Sequence, residues 1–359
     1  MAGLHPRHRR SVVTRARRAL GLRVASLIAV AAVAVSGIAV SAAPAGAGSS
    51  EPITLGYSAW PGWFPLAVAE EAGIFEDVGL NVKLRYFADY ISSLDAMTAG
   101  RLDGNTQTLN DTMTGVSAGS DQVIVVVNDN SAGNDQIICD KSITSVEGMK
   151  GKTVAAEQGV VDHFLLLQGL AKAGLTEQDV DFRGVLTDAA AAAFAKGKFD
   201  CVGVFAPFTA EAIKRPGSHV LFSSADFPGT IPDHIVVSRD LVKERPEDVQ
   251  KLVEAWYKTL DYIKAHPDES LQIMADKAGV SVAEYKDFAD GTKIFTPQEA
   301  LAAFQPGTTY ASLDYTAKQI NPFLVKAGLT AKKVPLKGLF EPKFTQTYVD
   351  TLTGSSSTP

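Results

Sequence analysis

Two kinds of apolar pattern alternate along the chain. Short apolar or period-two runs at 53–57, 82–86 and 123–127 read as strands. Between them, 66–71, the serine-rich segment from Tyr90 and the segment from Asp111 carry helical spacing, with stops at Gly73 and Gly100. A short strand is expected near Gln107. The pattern then restarts. Strands at 135–139, 152–156, 179–182 and 200–204 alternate with helices at 164–173 and 189–195, which Gly174 and Gly197 close. This second block ends near Val236, and the later chain is mainly helical. Its clearest helix, 249–265, repeats Tyr257, Leu260 and Ile263 on one face. Alternation of this kind predicts an α/β fold with parallel or mixed sheets and helices on both faces. Two such blocks without a long Gly/Pro/Ser linker predict two adjacent α/β lobes with a ligand cleft between them.

Composition changes this picture at the amino terminus. The first 47 residues hold seven arginines and no acid, followed by the weakly apolar run VASLIAVAAVAVSGIAVSAA at 24–43. That order is an export signal, with Ala45-Gly46-Ala47 as its cleavage box. The signal is assigned to 1–47. Left uncleaved, about 20 apolar residues would suffice as a membrane anchor. Arg9-Arg10 before Ser11 fits a twin-arginine route, although an RR pair also arises by chance among so many arginines. Whichever holds, the body is expected outside the cytoplasm: extracellular, cell-surface or periplasmic. Without the leader the chain has 27 basic and 40 acidic residues, a net charge of −13. Such a body is a poor partner for nucleic acid or an anionic membrane. The two cysteines, Cys139 and Cys201, are too few for a zinc site and are either a disulfide or two buried thiols.

Several familiar catalytic signatures are absent. No G-x-G-x-x-G opens a helix after the first strand, and no phosphate-loop lysine motif, H-E-x-x-H or C-x-x-C occurs. The body's histidines, His163, His219, His234 and His266, have no ligand spacing. No enzyme activity, cofactor or metal is expected.

Polar and aromatic residues do collect where strands run into helices, the ends at which α/β sheets place ligands. Trp60-Pro-Gly-Trp63 follows the first strand, and indole faces bind cations and planar groups. Packing in the lobe core is the plainer use of either Trp. Asp89, and Asp111 after Asn110, stand where a carboxyl caps a helix or meets a ligand. Glu157 and Asp162 flank the start of an apolar helix. Asp162 either caps it or, with Glu157, turns an anion-favouring helix terminus toward a cation or neutral amide. His163 is expected to pack in the first turn. Phe205 follows the strand at 200–204 and is placed to cover a ligand. Asp233 is expected in a stiff loop at 228–234 near the return crossing.

These segments, in this order, resemble the solute-binding proteins of ABC importers for nitrate, sulfonates, taurine and thiamine-precursor pyrimidines, the SsuA/TauA and NMT1/THI5-like group. The resemblance is carried by Gly56-Tyr57, PLAVAEEAGIF at 65–75, Gly79-Leu80, AMTAGRLD at 96–103, MKGKTV at 149–154 and AGLTEQDV at 173–180. WPGW at 60–63, EQGVVDHFLLL at 157–167 and SSADFPG at 223–229 look closer to a branch assigned to urea or guanidine uptake. The segment TIPDH at 230–234 departs from that branch, which tends to have an aromatic there.

The resemblance implies a type II periplasmic-binding-protein fold, with 51–137 plus 237–359 as lobe one and 138–236 as lobe two. It implies a monomer that captures a small molecule and delivers it to a membrane permease. The acidic junctions select a small cationic or amide nitrogen compound, guanidine- or urea-like, with Trp60, Trp63, Asp89, Asn110, Asp111, Glu157, Asp162, Phe205 and Asp233 as site candidates. The alternative is an anion such as an alkylsulfonate, taurine or nitrate, which would want a cleft Arg or Lys. Arg183 is the one arginine near a second-lobe strand end, and its expected place is the surface.

Overall fold

A computed structural model describes residues 51–354. The export signal and its cleavage box lie outside these residues. Among the described residues, no helix is long and apolar enough to cross a membrane.

The strands are β1 (Ile53–Tyr57), β2 (Val82–Tyr86), β3 (Gly104–Thr108), β4 (Gln122–Ser131), β5 (Asp135–Cys139), β6 (Thr153–Ala156), β7 (Asp181–Gly184), β8 (Cys201–Phe205), β9 (His219–Ser223), β10 (Pro232–Ser238) and β11 (Thr292–Ile294). They form two mixed sheets, ordered β11-β4-β10-β3-β1-β2 and β7-β6-β8-β5-β9. The parallel pairs of the first sheet are β1 with β2 and β3, and β10 runs antiparallel between β3 and β4. The chain passes between the sheets at β4–β5 and again at β9–β10. The hydroxyl of Ser224 bonds both the Ser131 hydroxyl and the Gly133 N–H at 2.7 Å, tying the two crossings together.

Helix Pro246–Ala265 buries Trp256 and Tyr257 and packs on helix Pro65–Glu71. Both helices start at a proline, whose fixed φ suits a first turn. Two features escaped the hydrophobic pattern. Strand β3, GNTQT, is wholly buried despite its polarity. Several of its side chains find buried partners: the Asn105 amide donates to Gln107, which donates to Thr112 and Gln122, while Asn105 Oδ1 and the Thr106 hydroxyl have none. The segment 228–234, expected as a loop, already enters β10 at Pro232, so Asp233 stands in a central strand. The proline is tolerated at the strand's first residue.

Cys139 and Cys201 are opposed in register on antiparallel β5 and β8 and form a disulfide. The bond closes a 62-residue separation, for which chain-entropy arguments give about 4 kcal/mol. Reduction, or the Cys139→Ala/Cys201→Ala pair, is therefore expected to lower the thermal midpoint. An unchanged midpoint in both would show that the bridge adds no stability.

Candidate ligand-binding site

The carboxyl ends of β1, β3 and β8, the β4–β5 crossing and the start of helix Val161–Lys172 converge on one point. After β1, the chain turns through Trp60-Pro61-Gly62-Trp63, closed by Trp63 N–H to Trp60 C=O at 2.9 Å. Gly62 is required there by close approach: a Cβ would lie 1.9 Å from Asp129 Oδ2. That proximity lets Trp60 Nε1–H donate to Asp129 Oδ1 at 2.9 Å. Trp60, Trp63, Tyr90 and Phe205 form an aromatic wall. Trp63 lies 5.2 Å from Tyr90, and Phe205 stands edge-on to Trp60 at 6.4 Å and to Tyr90 at 6.3 Å, by ring centroids. With Thr108, Asp135 and Asp233 these rings enclose a cavity of about 10 Å³. That is about the room of one water-sized sphere, so a ligand larger than water requires these walls to part.

Asp135 and Asp233 line this cavity, and Asp111, Asp129, Glu157 and Asp162 stand behind it; none of the six is more than 3% exposed. Thr108 and Asn110 donate to Asp111 at 2.7 and 2.8 Å. Thr187 donates to Glu157 at 2.9 Å and reaches Asp162 at 3.2 Å. Asp135 Oδ2 and Asp162 Oδ1 have no hydrogen-bond partner, and the Asp129 and Asp233 carboxyls meet each other, so that a proton on Asp233 bonds Asp129. Among the described residues, none of the six sits in an ion pair. His234, next in sequence to Asp233, bonds Thr112 and is held neutral, because burial pushes its pKa down to about 3.

An uncompensated buried carboxylate is costly, so these groups hold protons more tightly than free carboxyls and are only partly ionised near neutrality. Burial, reinforced by Glu157 and Asp135, pushes Asp111 up to about 7, and burial does the same to Asp135. Asp129 and Asp233 are neighbours across β4 and β10 and both are raised, first by burial. Asp162 and Glu157 are raised for the same reason, Asp162 also by Asp135 and Glu157. The site is thus rich in hydrogen-bond acceptors and negative potential, and it favours a ligand that brings donors and positive charge.

Of the residues singled out in the sequence, Trp60, Trp63, Phe205 and Asp233 line this cavity, and Asp111, Glu157 and Asp162 stand behind it. Trp63 Nε1 has no partner. Asn110 orients Asp111 by its amide donor. Asp89 caps helix Tyr90–Thr98 by accepting from Ser92 N–H at 3.0 Å and lies farther out, half-buried. His163 packs in the first turn, stacked on Phe182 at 4.3 Å, and Arg183 is exposed beside Asp181. Sequence reasoning missed Asp129, Asp135, Tyr90, Thr108 and Thr187. The available signal was Asn128-Asp129-Asn130 and Asn134-Asp135, acids set directly between two apolar strands.

The largest cavity described, about 810 Å³, lies elsewhere, between the crossings and helix Pro297–Phe304. Its carboxylate, Glu299, is paired with Lys293 at 3.2 Å, so it lacks the unpaired charge of the inner site.

Two mixed sheets joined by two crossings, with ligand chemistry at the strand ends between them, define the periplasmic-binding-protein fold. The alkanesulfonate-binding protein SsuA from Xanthomonas axonopodis pv. citri, solved bound to MOPS, shares it: TM-score 0.69 at 18% identity, over 82% of this chain and 100% of that one. Residues 46–278 match the profile of the NMT1-like family, and the chain belongs to that family. It is 27% identical over 299 residues to a provisionally named binding protein of Brucella abortus, spanning 81% of this chain and 92% of the relative. A Bacillus subtilis protein, provisionally named as binding aliphatic sulfonates, is 27% identical over 218 residues, 59% of this chain and 66% of that one.

Proposed function

We propose that this chain is the solute-binding component of an ABC importer, works outside the cytoplasm, and delivers a small, planar, nitrogen-rich cation or amide to a membrane permease. Guanidine and urea are the simplest members of that class. The importer role is supported by the family and by the binding-protein names of its relatives. The ligand class is supported by one observation above all: Asp135 and Asp233 line the cavity, four more buried carboxyls stand behind it, and no cationic side chain is among its lining. A guanidinium offers only donors, matching the acceptor oxygens of Asp135 and Asp233 on the cavity wall. Its flat face matches the Trp60 and Phe205 rings. Asp111, Glu157 and Asp162 set the potential behind them, Asn110 orients Asp111, and Trp63 completes the wall. The role is capture and release, with no chemistry on the ligand.

A second reading, an alkylsulfonate, taurine or nitrate, draws on the names of the sulfonate-binding relatives. It requires a buried anion beside unpaired carboxylates, which is repulsive at short range. Calorimetric titration with guanidine, urea, choline, taurine, nitrate and an alkylsulfonate separates the two. Guanidine is expected to bind at micromolar or better affinity, weakened by Trp60→Ala, with no heat from the anions. Binding of the sulfonate or nitrate alone would overturn the cation reading.

A further inference from the structure

The segment 281–294 reaches the binding site from behind without lining its cavity. Helix Val282–Lys286 opens on a capping box of Ser281 and Glu284 and buries Tyr285. The Tyr285 ring lies 5.9 Å from those of both Phe64 and Phe288, by centroids. Its hydroxyl donates to the Pro61 carbonyl at 3.2 Å, inside the turn that carries Trp60 and Trp63. Pro61 is buried, and the residue four positions along, the place of a helical donor, is Pro65, which has no N–H. Among the described residues the Tyr285 hydroxyl is the one donor to that carbonyl. Burial, and then the charge of Asp129, raises the Tyr285 pKa and keeps the phenol a donor.

The same segment holds the β4–β5 crossing. Asn134 Nδ2 donates to the Phe288 carbonyl and to the Thr292 hydroxyl, both at 2.7 Å, and Ala132 N–H donates to the Gly291 carbonyl at 2.9 Å. Gly291 is set by close approach, since a Cβ there would lie 2.2 Å from Asn134 Oδ1. The Asn134 carbonyl accepts from the N–H of Ala206, the residue after Phe205, at 3.0 Å. From Thr292 the chain continues as β11, whose Ile294 stands opposite Asp129 on β4. One segment thus fastens the turn of Trp60, the strand of Asp129 and the junction between Asp135 and Phe205.

We infer that Tyr285 and Asn134 are positioning residues for ligand binding: Tyr285 fixes the Trp60–Trp63 turn through Pro61, and Asn134 fixes Asp135 and Phe205 through its bonds to 288–292 and Ala206. Rings and carboxyls packed this closely act on a ligand only when held to within about 0.5 Å. This goes beyond the ligand class argued above and takes guanidine from it only as a probe.

Tyr285→Phe keeps the ring and removes the donor, and Asn134→Ala removes both amide bonds. Asn321→Ala is the control: Asn321 is as buried, bonds the N–H and carbonyl of Val334, and lines no part of the cavity. Calorimetry at a temperature where every variant stays folded is expected to show guanidine binding weakened by about tenfold or more in the first two and unchanged in the control. The tryptophan emission of the ligand-free protein is expected to shift in the first two alone, because Trp60 stands against both Asp129 and Phe205. Unchanged guanidine affinity in either variant, whatever its thermal midpoint, would make that residue a structural one and overturn its positioning role. Should the unaltered protein take up no guanidine, the cation reading falls, and the emission decides the positioning by itself: a shift sustains it, and a spectrum matching the control overturns it.

Discussion

Asp233→Asn is expected to raise the thermal midpoint of the ligand-free protein while weakening a guanidinium ligand by about 100-fold or more. The two effects share one cause. Asp233 is buried in the central strand β10 with no partner but the Asp129 carboxyl, and with Asp135 and Asp111 near enough to repel it. An amide of the same shape carries no charge, so it relieves that repulsion and the desolvation behind it. The same change puts an N–H donor where a donor-rich ligand needs an acceptor, and it subtracts a charge from a water-poor cavity. Opposite movement of stability and affinity marks a residue kept for binding at the expense of the fold. A structural carboxyl behaves otherwise. Asp200 accepts from both the N–H and the hydroxyl of Thr153, at 2.9 and 2.8 Å, so Asp200→Ala should lower the midpoint and leave affinity alone. Calorimetry paired with thermal unfolding reads both quantities. Asp233→Asn losing stability, or keeping full affinity, would show that its carboxyl is a structural group.

The sequence carried the architecture further than it carried the site. Strands β1, β2 and β5 stand where alternation places them, because apolar periodicity is a local property that burial enforces. Strand β3 was weaker in the pattern, since its buried residues are the polar Asn105, Thr106, Gln107 and Thr108, of which Asn105 and Gln107 reach partners on other elements. The strand-to-helix junctions led to Trp60, Asp111, Glu157, Asp162 and Phe205. Junction logic could not find Asp129, which lies within β4 and reaches the site because Gly62 leaves room for it. Nor could it separate Asp89, a working N-cap, from Asp162, which accepts at the side of a helix whose N-cap residue, Val160, makes no side-chain bond. That distinction depends on which backbone N–H each carboxyl meets, and so on tertiary placement.

Acidification should weaken a cationic ligand steeply, and the sign follows from the raised carboxyls. In the ligand-free fold, burial holds Asp111 and Asp135 near 7, whereas an unfolded aspartate titrates near about 4. Between those values the native state binds more protons than the unfolded chain. Ligand-free stability is therefore highest at the acid end of this window and is lost as pH rises through about 7. Binding runs the other way. A cation favours ionised carboxylates, so each retained proton must leave before the ligand is held. Affinity should fall by up to about tenfold per pH unit for each proton displaced, on descending from about 7 to about 5. It should level off above the carboxyl pKa values. The histidines do not reverse this trend: His234 stays neutral through the window, and His163, also lowered by burial, bonds Glu177 rather than the cluster. Titrations at several pH values, repeated in phosphate and Tris to count released protons, measure the effect. A bound sulfonate would show the opposite slope, tightening as the carboxyls are neutralised, and a pH-independent affinity would mean that the six carboxyls do not face the ligand's charge.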